Sequence, residues 1–443
     1  MKRIGEGLLS SVRGLFAPGQ SGRKGVLVIL AFTLISKSMG FLREVLMAYF
    51  FGAGPAVDAF VAAYTIFILA VLLPSSLLPV VGTPILVEQG IKEGREKQKE
   101  VFASFFSLWL IVSAGLMILL AITGPWLVRI IAPLLPPETQ ALAVRLFYIL
   151  LPMTLGMVFV HLAMAYYNAR RSFALPQTSG IIMNAVIIPL MFAEPALGIY
   201  ALGAGWSLGY LVASVILILP TIVGSRVLGR AWTPQTKEFL ILSIPLLLGY
   251  GLDQINTTIG RIFASSLPPG SISYLYYGWR IFDIPMLLIT ALTTVHLTKA
   301  AEMASVGNIK KLRAFTFSLL RKALLVIGPL SLIMFIFAGP MVRLIFQRGA
   351  FEAEAASATT ITFRCFVLGM FPLFVSYMAL ATFRGMKEFR IPLIISVSGI
   401  LFSVLGSVIL IKPFGVGGLA ASTTIAIYLN SAIMLFLMWK RIR

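Results

Sequence analysis

Charge is scarce in this chain. Its 443 residues are only 12% Asp, Glu, Lys and Arg, where a soluble domain carries about 25%, and no large soluble domain fits between the apolar runs. A water-soluble fold is thereby excluded. Cysteine occurs once, at Cys365, which rules out an intramolecular disulfide, and no Cys/His cluster has metal-ligand spacing. Redox and zinc chemistry drop out, and neither a metal nor another cofactor is expected. A secretory signal is missing as well: MKRIGEGLLSSVRGLFAPGQSGRKG is basic, and no small-residue cleavage site follows an apolar core. Residues 1–25 read instead as a cytoplasmic basic amphipathic arm.

Apolar residues are abundant, at 59% of the chain, and the mean hydropathy is +0.96. Runs of about 20 apolar residues, enough to cross roughly 30 Å of hydrocarbon, recur from end to end. Twelve spans are expected, over 26–51, 57–89, 101–123, 139–168, 177–195, 199–223, 239–265, 271–301, 314–338, 355–384, 391–411 and 415–439. The chain is thus an all-α, multi-pass membrane protein.

Net charge is +20, from 36 basic and 16 acidic residues, and its distribution is informative. Lys92, Arg95, Lys97 and Lys99, then Arg170 and Arg171, Arg226, Arg230 and Lys237, Lys310, Lys311 and Arg313, and Arg384, Lys387 and Arg390 fall in alternate loops. The positive-inside rule places those loops and both termini in the cytoplasm. The loops lack RNA-binding motifs, so no nucleic-acid partner is expected.

The sequence repeats itself at an offset near 216. AYYNARRSFALP (165–176) aligns with ATFRGMKEFRIP (381–392), TGPWLVRII (123–131) with AGPMVRLIF (338–346), Gly198 with Gly415 and Gly54 with Gly270. Two six-helix lobes follow, 26–224 and 239–443, joined by a cytoplasmic linker at 225–238. Six is even, so both lobes keep one orientation about a pseudo-twofold axis along the membrane normal, an architecture of transporters with a central cavity.

Charges within spans point to that cavity. On the first span, Lys37 and Glu44 are seven residues apart and share a face, with Arg43 turned by about 100°. The seventh span carries Asp253, Asn256, Thr257 and Arg261 on one arc. On the eighth, Arg280 precedes Asp283 by three residues and follows Tyr276 by one turn, spacings that allow contact. A charge at a helix centre costs about 2.5–3.5 kcal/mol on insertion scales, which disfavours a lipid-facing arc. The competing reading makes Arg43–Glu44 and Arg280–Asp283 structural ion pairs, lets Lys37 snorkel, makes Asp58 an N-terminal cap of its own helix, and leaves His161 and His296 as core residues. Arg145 and Arg364 fringe either the cavity or the interface.

Several guanidinium and ammonium groups in a low-dielectric cavity suit a phosphate or pyrophosphate. Lys37, Arg43, Arg261 and Arg280 are the candidate pyrophosphate ligands. Glu44, Asp253 and Asp283 would balance charge or bind a coupling ion, and Asn256, Thr257 and Tyr276 would add polar contacts. No residue is expected to be catalytic.

These residues carry a resemblance. SKSMGFLREVLMAYFFGAGPAVDAF, GSISYLYYGWRIFDIP and RLIFQRGAF, in that order, resemble three signatures of the MurJ/MviN family within the MOP exporter superfamily, and the likeness runs from about residue 26 to the C-terminus. The resemblance implies a flippase, not an enzyme. It would carry an undecaprenyl-pyrophosphate-linked saccharide, lipid II or a related oligosaccharide, from inner to outer leaflet of the bacterial cytoplasmic membrane by alternating access. Membrane potential or a coupling ion would reset it. Arg43 and Arg280 match family arginines, Lys37 replaces another, and Glu44 replaces an aspartate. Two departures stand out: Val71 and Leu72 occupy the positions of a second-span arginine pair, and the family tends to fourteen spans. An exopolysaccharide or O-antigen repeat unit is therefore an alternative substrate, and a MATE-like multidrug or cation antiporter an alternative function. A polyprenyl glycosyltransferase would need a larger catalytic loop. The expected partners are the lipid-linked glycan, the phospholipid bilayer and envelope-assembly proteins.

Overall fold

The computed structural model describes residues 23–172, 174–222, 228–388 and 390–442, with side chains from residue 30 onward except that of Asp253. The arm expected at 1–25 lies almost wholly outside the described residues. No strand occurs among them. Helices are the natural outcome, because a helix pairs its own backbone N–H and C=O groups and a bilayer core offers no water to pair them instead.

The helices are α1 (Arg23–Phe51), α2 (Pro55–Phe67), α3 (Thr83–Lys92), α4 (Gly94–Ile131), α5 (Pro137–Leu150), α6 (Met153–Ala169), α7 (Ala174–Met191), α8 (Tyr200–Ile222), α9 (Pro234–Ala264), α10 (Ser271–Ser305), α11 (Ile309–Ile336), α12 (Ala338–Phe346), α13 (Ala353–Leu368), α14 (Met370–Gly385) and α15 (Arg390–Arg441). Between α2 and α3 the chain winds through two π-helical segments, Ile68–Leu72 and Leu78–Gly82. Pro79 in the second has no N–H to give a regular ladder.

By length and apolarity, eight helical stretches among the described residues can each cross a membrane. The number is ten when two bent pairs count as single crossings: α5 with α6, bent by 46°, and α13 with α14, bent by 43°. A helix lies over every one of the twelve expected intervals, but this criterion does not itself reach twelve. Two boundaries differ from expectation. α4 continues through Gly124 and Pro125 to Ile131, since neighbouring helices can satisfy the groups a proline frees. α15 spans 52 residues, about 78 Å at 1.5 Å each, and breaks at Gly415 (φ 52°, ψ −131°), a conformation that glycine adopts at little cost.

The chain forms two compact units. One contains the described chain up to Phe50, Ala62–Ile130 and Pro137–Gly251; the other contains Phe51–Val61, Ile131–Pro136 and the chain from Leu252 onward.

In the first unit α7 is held between α1 and α8. Along α1, Thr33 donates to Gln177 at 3.2 Å, Ser36 sits on Gly180, and Gly40 faces Asn184, so the two helices run parallel in step. On the other side, Gly205 and Gly209 let α8 approach the backbone of Ile187 and Met183, the small-xxx-small device by which membrane helices gain close packing. A Cβ at Gly180 would fall 2.1 Å from Ser36 Oγ. The close fit fixes the height at which α1 presents Arg43.

In the second unit α10 packs against α13 and α14, and α15 against both of them. Residues 51–61 join this unit through α10. Gly52 takes φ 65°, and a Cβ there would lie 2.3 Å from the Ala350 carbonyl oxygen. Only glycine fits that approach.

Candidate functional site

The first unit seats Arg43 among Glu44, Asn184 and Trp206. Its Nη2 donates to Glu44 Oε1 at 2.7 Å and its Nη1 to Asn184 Oδ1 at 3.1 Å. The guanidinium lies 4.4 Å from the Trp206 ring centroid, which in turn sits 4.6 Å from the ring of Tyr64. Asn184 is fixed by its own bond to Gly180 O at 2.7 Å. Only 12% of the Arg43 side chain and 5% of the Glu44 side chain are exposed, so the pair is shielded from water and its attraction is stronger than at a surface. Neighbours i and i+1 point apart on a helix, and it is the length of the arginine side chain that lets this pair meet.

Lys37 stands apart. It is exposed and forms no ion pair among the described residues, so sharing a helical face with Glu44 does not bring it into the Arg43 seat.

The second unit contains a looser version. Arg280 Nη2 donates to Tyr276 Oη at 3.1 Å, its guanidinium lies 4.6 Å from the Tyr276 ring centroid, and Nη1 is 3.5 Å from Asp283 Oδ2. The one-turn and three-residue spacings do bring these groups together. Arg280 and Asp283 side chains are 28% and 42% exposed, so this guanidinium retains access that Arg43 lacks. On α9, Arg261 and Asn256 are half-buried and Thr257 is exposed; Asn256 Oδ1 is enclosed without a hydrogen-bond donor among the described residues. The side chain of Asp253 lies outside the described residues. No group of three or more His, Cys, Asp or Glu able to hold a metal ion occurs among the described residues.

Asp58 differs from expectation. It does not cap its own helix but the N-terminus of α10: Oδ2 accepts from Gly270 N at 2.6 Å, and Oδ1 from Ser273 N at 2.8 Å and Ser273 Oγ at 2.5 Å. Because α2 begins at Pro55, Asp58 already lies inside its first turn, and its amide bonds to Gly54 O at 2.9 Å. The carboxylate is therefore available to a partner helix, where amide donors and the helix dipole favour it.

Around this cap three stretches singled out in the sequence converge. Tyr277 of SYLYYGWR donates to Gly52 O of FFGAG at 3.0 Å. Its ring lies 5.0 Å from Phe346 and 5.2 Å from Phe351, both in RLIFQRGAF. Glycine, aspartate and aromatics that look unrelated along the chain thus form one packed junction.

Comparison with known proteins supplies a family. The family model described as "Lipid II flippase MurJ" matches residues 47–443. The chain belongs to the MurJ family. Among curated MurJ proteins, the probable lipid II flippase of Rhizobium tropici is 27% identical over 428 residues, covering 92% of this chain and 79% of that protein. The lipid II flippase of Burkholderia cenocepacia is 24% identical over 434 residues, covering 94% and 84%. A solved structure of lipid II flippase MurJ in an inward closed conformation matches with a TM-score of 0.80 at 21% identity, over 93% of this chain and 87% of that one. An inward-facing MATE transporter of the MOP superfamily matches at 0.78 with 15% identity, over 94% and 98%. The MurJ member described here is accordingly a multi-pass membrane protein of a transporter family with the MOP fold.

Sequence reasoning missed Asn184 and Trp206. Asn184 is a lone amide in the apolar run IIMNAVII, a polar group that needs a partner when desolvated, and that was the available signal. Trp206 lies seven residues inside α8 and is 3% exposed, a depth that separates it from an interfacial belt. Arg145 and Arg364 are exposed, the latter with its guanidinium 5.8 Å from the Phe335 ring. In the second-span departure, Val71 is buried in the first π-helical segment, where an arginine would have to be desolvated.

Proposed function

We propose that this chain is a flippase that moves an undecaprenyl-pyrophosphate-linked saccharide, lipid II, from the inner to the outer leaflet of the bacterial cytoplasmic membrane. The observation that carries the reading is the family match over residues 47–443, together with relatives named lipid II flippase that align along more than nine-tenths of the chain. Transport rather than catalysis is its work. Alternating access is its cycle, with the lobes 26–224 and 239–443 and the linker 225–238 given by the repeat, twelve crossings and both termini in the cytoplasm.

The guanidinium groups supply the chemistry such a substrate asks for. A pyrophosphate presents several anionic oxygens, and arginine offers a planar fork of donors to them. Arg280, partly exposed and as far as 3.5 Å from its carboxylate, is poised to exchange Asp283 for phosphate. Arg43, held at 2.7 Å by Glu44, exchanges at greater cost and serves the substrate when the first unit rearranges. Lys37 and Arg261 are the further cationic groups assigned to the headgroup. Glu44 and Asp283 receive the guanidinium groups back once the headgroup has left, and Asp253 is the further carboxylate assigned to charge balance. A net-positive site also responds to membrane potential, at about 2.3 kcal/mol per charge per 100 mV, which can drive the return of the emptied carrier. The polyprenyl tail stays in the bilayer while the polar head crosses.

The alternative substrate, an exopolysaccharide or O-antigen repeat unit, shares the polyprenyl-pyrophosphate and is favoured only by the apolar Val71–Leu72 step. The deciding experiment reconstitutes the full chain in vesicles with lipid II or a repeat-unit lipid on one leaflet, then measures how much reaches the other. Faster transfer of lipid II than in empty vesicles supports the proposal. Transfer of the repeat-unit lipid alone, or of neither, overturns it.

A further inference from the structure

In the first unit a groove of about 300 Å³ runs between the α3 region and α9, lined by Val80, Val81, Ile85, Glu88, Glu238 and Leu242, with Pro84 and Leu246 completing it. Its walls are single helical faces. On α9 the lining residues recur every fourth position, and from Pro84 to Glu88 the spacing is the same. Gln235 Nε2 donates to Gln89 Oε1 at 3.4 Å while a Cβ at Gly251 would lie 3.8 Å from Leu73, so the two walls run in opposite senses, with both carboxylates at one end and Val80 and Leu246 at the other. Eight residues separate the ends on each wall, about 12 Å.

The sequence around the acidic end carries the marks of the membrane–water interface. Basic residues Lys92, Arg95, Lys97 and Lys99 follow Glu88, and exposed Trp232 lies six residues before Glu238 with Lys237 Nζ 5.7 Å from its ring centroid. Aromatic and basic residues concentrate at that level of a membrane protein. Lys92 Nζ bonds Glu88 Oε1 at 2.5 Å and also interacts electrostatically with Glu238. The groove therefore has two carboxylates and one ammonium at its mouth and hydrocarbon side chains below.

The geometry points to a bound aminophospholipid of the phosphatidylethanolamine type, its ammonium between Glu88 and Glu238, its phosphate on Lys92 and one acyl chain against Val81, Ile85 and Leu242. The charges select this occupant. A primary ammonium has three N–H donors for carboxylate oxygens, and a phosphate accepts from Lys92 in a charge-assisted bond. The acyl chain gains little, because lipid tails are as apolar as the groove, and selectivity falls to the headgroup. A polyprenyl pyrophosphate would meet two carboxylates and be repelled, so the groove is not the route of the transported lipid. Fold stability does not need Glu88, since an exposed i,i+4 pair contributes only a few tenths of a kcal/mol.

The test uses the purified full chain, equilibrated in vesicles of equal phosphatidylethanolamine, phosphatidylglycerol and phosphatidylcholine and examined by native mass spectrometry. Phosphatidylethanolamine should be retained about tenfold over each competitor, a difference of about 1.4 kcal/mol. In E88Q/E238Q the preference should vanish while the protein stays monodisperse, and L242W should reduce retention with both carboxylates intact. Equal retention of the three lipids, a preference that survives E88Q/E238Q, or retention unaffected by L242W would each overturn the site. No lipid-linked glycan is present, so the outcome is independent of the proposed transport.

Discussion

Arg171 and Lys387, 216 residues apart, close their helices in the same way. They are the non-glycine residues with positive φ among those described, at 55° and 61°. Arg171 N bonds Asn168 O at 3.0 Å and Ser172 N bonds Tyr167 O at 2.9 Å; Lys387 N bonds Arg384 O at 3.0 Å and Glu388 N bonds Phe383 O at 2.9 Å. Each is a Schellman closure with a basic residue where glycine is usual. The left-handed conformation costs a side-chain-bearing residue about 1–2 kcal/mol. Arg171→Gly and Lys387→Gly should therefore each stabilise the detergent-solubilised protein by about 1 kcal/mol, and Arg171→Val should destabilise it. Thermal unfolding of the three variants measures this.

The Asp58 cap is a second point of leverage. Asp58→Asn removes the charge and turns an amide toward the donors of Gly270 and Ser273, and Asp58→Ala leaves three donors without their acceptor. Loss of a charged hydrogen-bond partner costs about 1.5–3 kcal/mol. Both variants should melt earlier than wild type, Asp58→Ala by more, and hydrogen exchange should rise at the amides of Gly270 and Ser273. Unchanged exchange there would contradict the cap.

Trp206 bears on Arg43 without carrying charge. A cation over an indole face gains about 0.5–2 kcal/mol, depending on its exposure to water. Trp206→Leu should keep the fold and lower translocation several-fold, whereas Trp206→Phe should retain more activity, read in vesicles at matched protein content.

Asp283 and Glu44 should behave differently from the arginines they contact. Asp283→Asn frees a loosely paired guanidinium and should tighten binding of a pyrophosphate lipid while slowing its release. Glu44→Gln removes a buried partner at 2.7 Å and should chiefly cost stability, by about 3 kcal/mol. Binding isotherms and melting curves on both variants separate the two effects.

How much of this was legible follows the range of each signal. Local spacings were readable: Tyr276, Arg280 and Asp283 sit within two helical turns, and periodicity alone brings them together. One aligned pair of the repeat shows in the backbone, since Gly198 and Gly415 share positive φ at 54° and 52°, a demand that leaves glycine at both positions. Contacts made across helices were not. Asp58 looked like a cap for the helix it begins, because nothing local announces that its donors lie more than 210 residues away. Lys37 shares a helical face with Glu44, but helical phase reports a face and not its burial. Asn184 and Trp206 complete the Arg43 seat from two other helices, and only packing reveals which residues meet there.

Translocation of a lipid-linked pyrophosphate precursor in vesicles, compared between wild type, Arg43→Ala and Arg280→Ala at equal folded content, tests the central claim most directly. Each variant should lose at least about tenfold in rate, the equivalent of one charge-assisted contact, with its melting temperature close to wild type for Arg280→Ala. Wild-type rates in both variants would contradict the assignment of these two guanidinium groups to the headgroup.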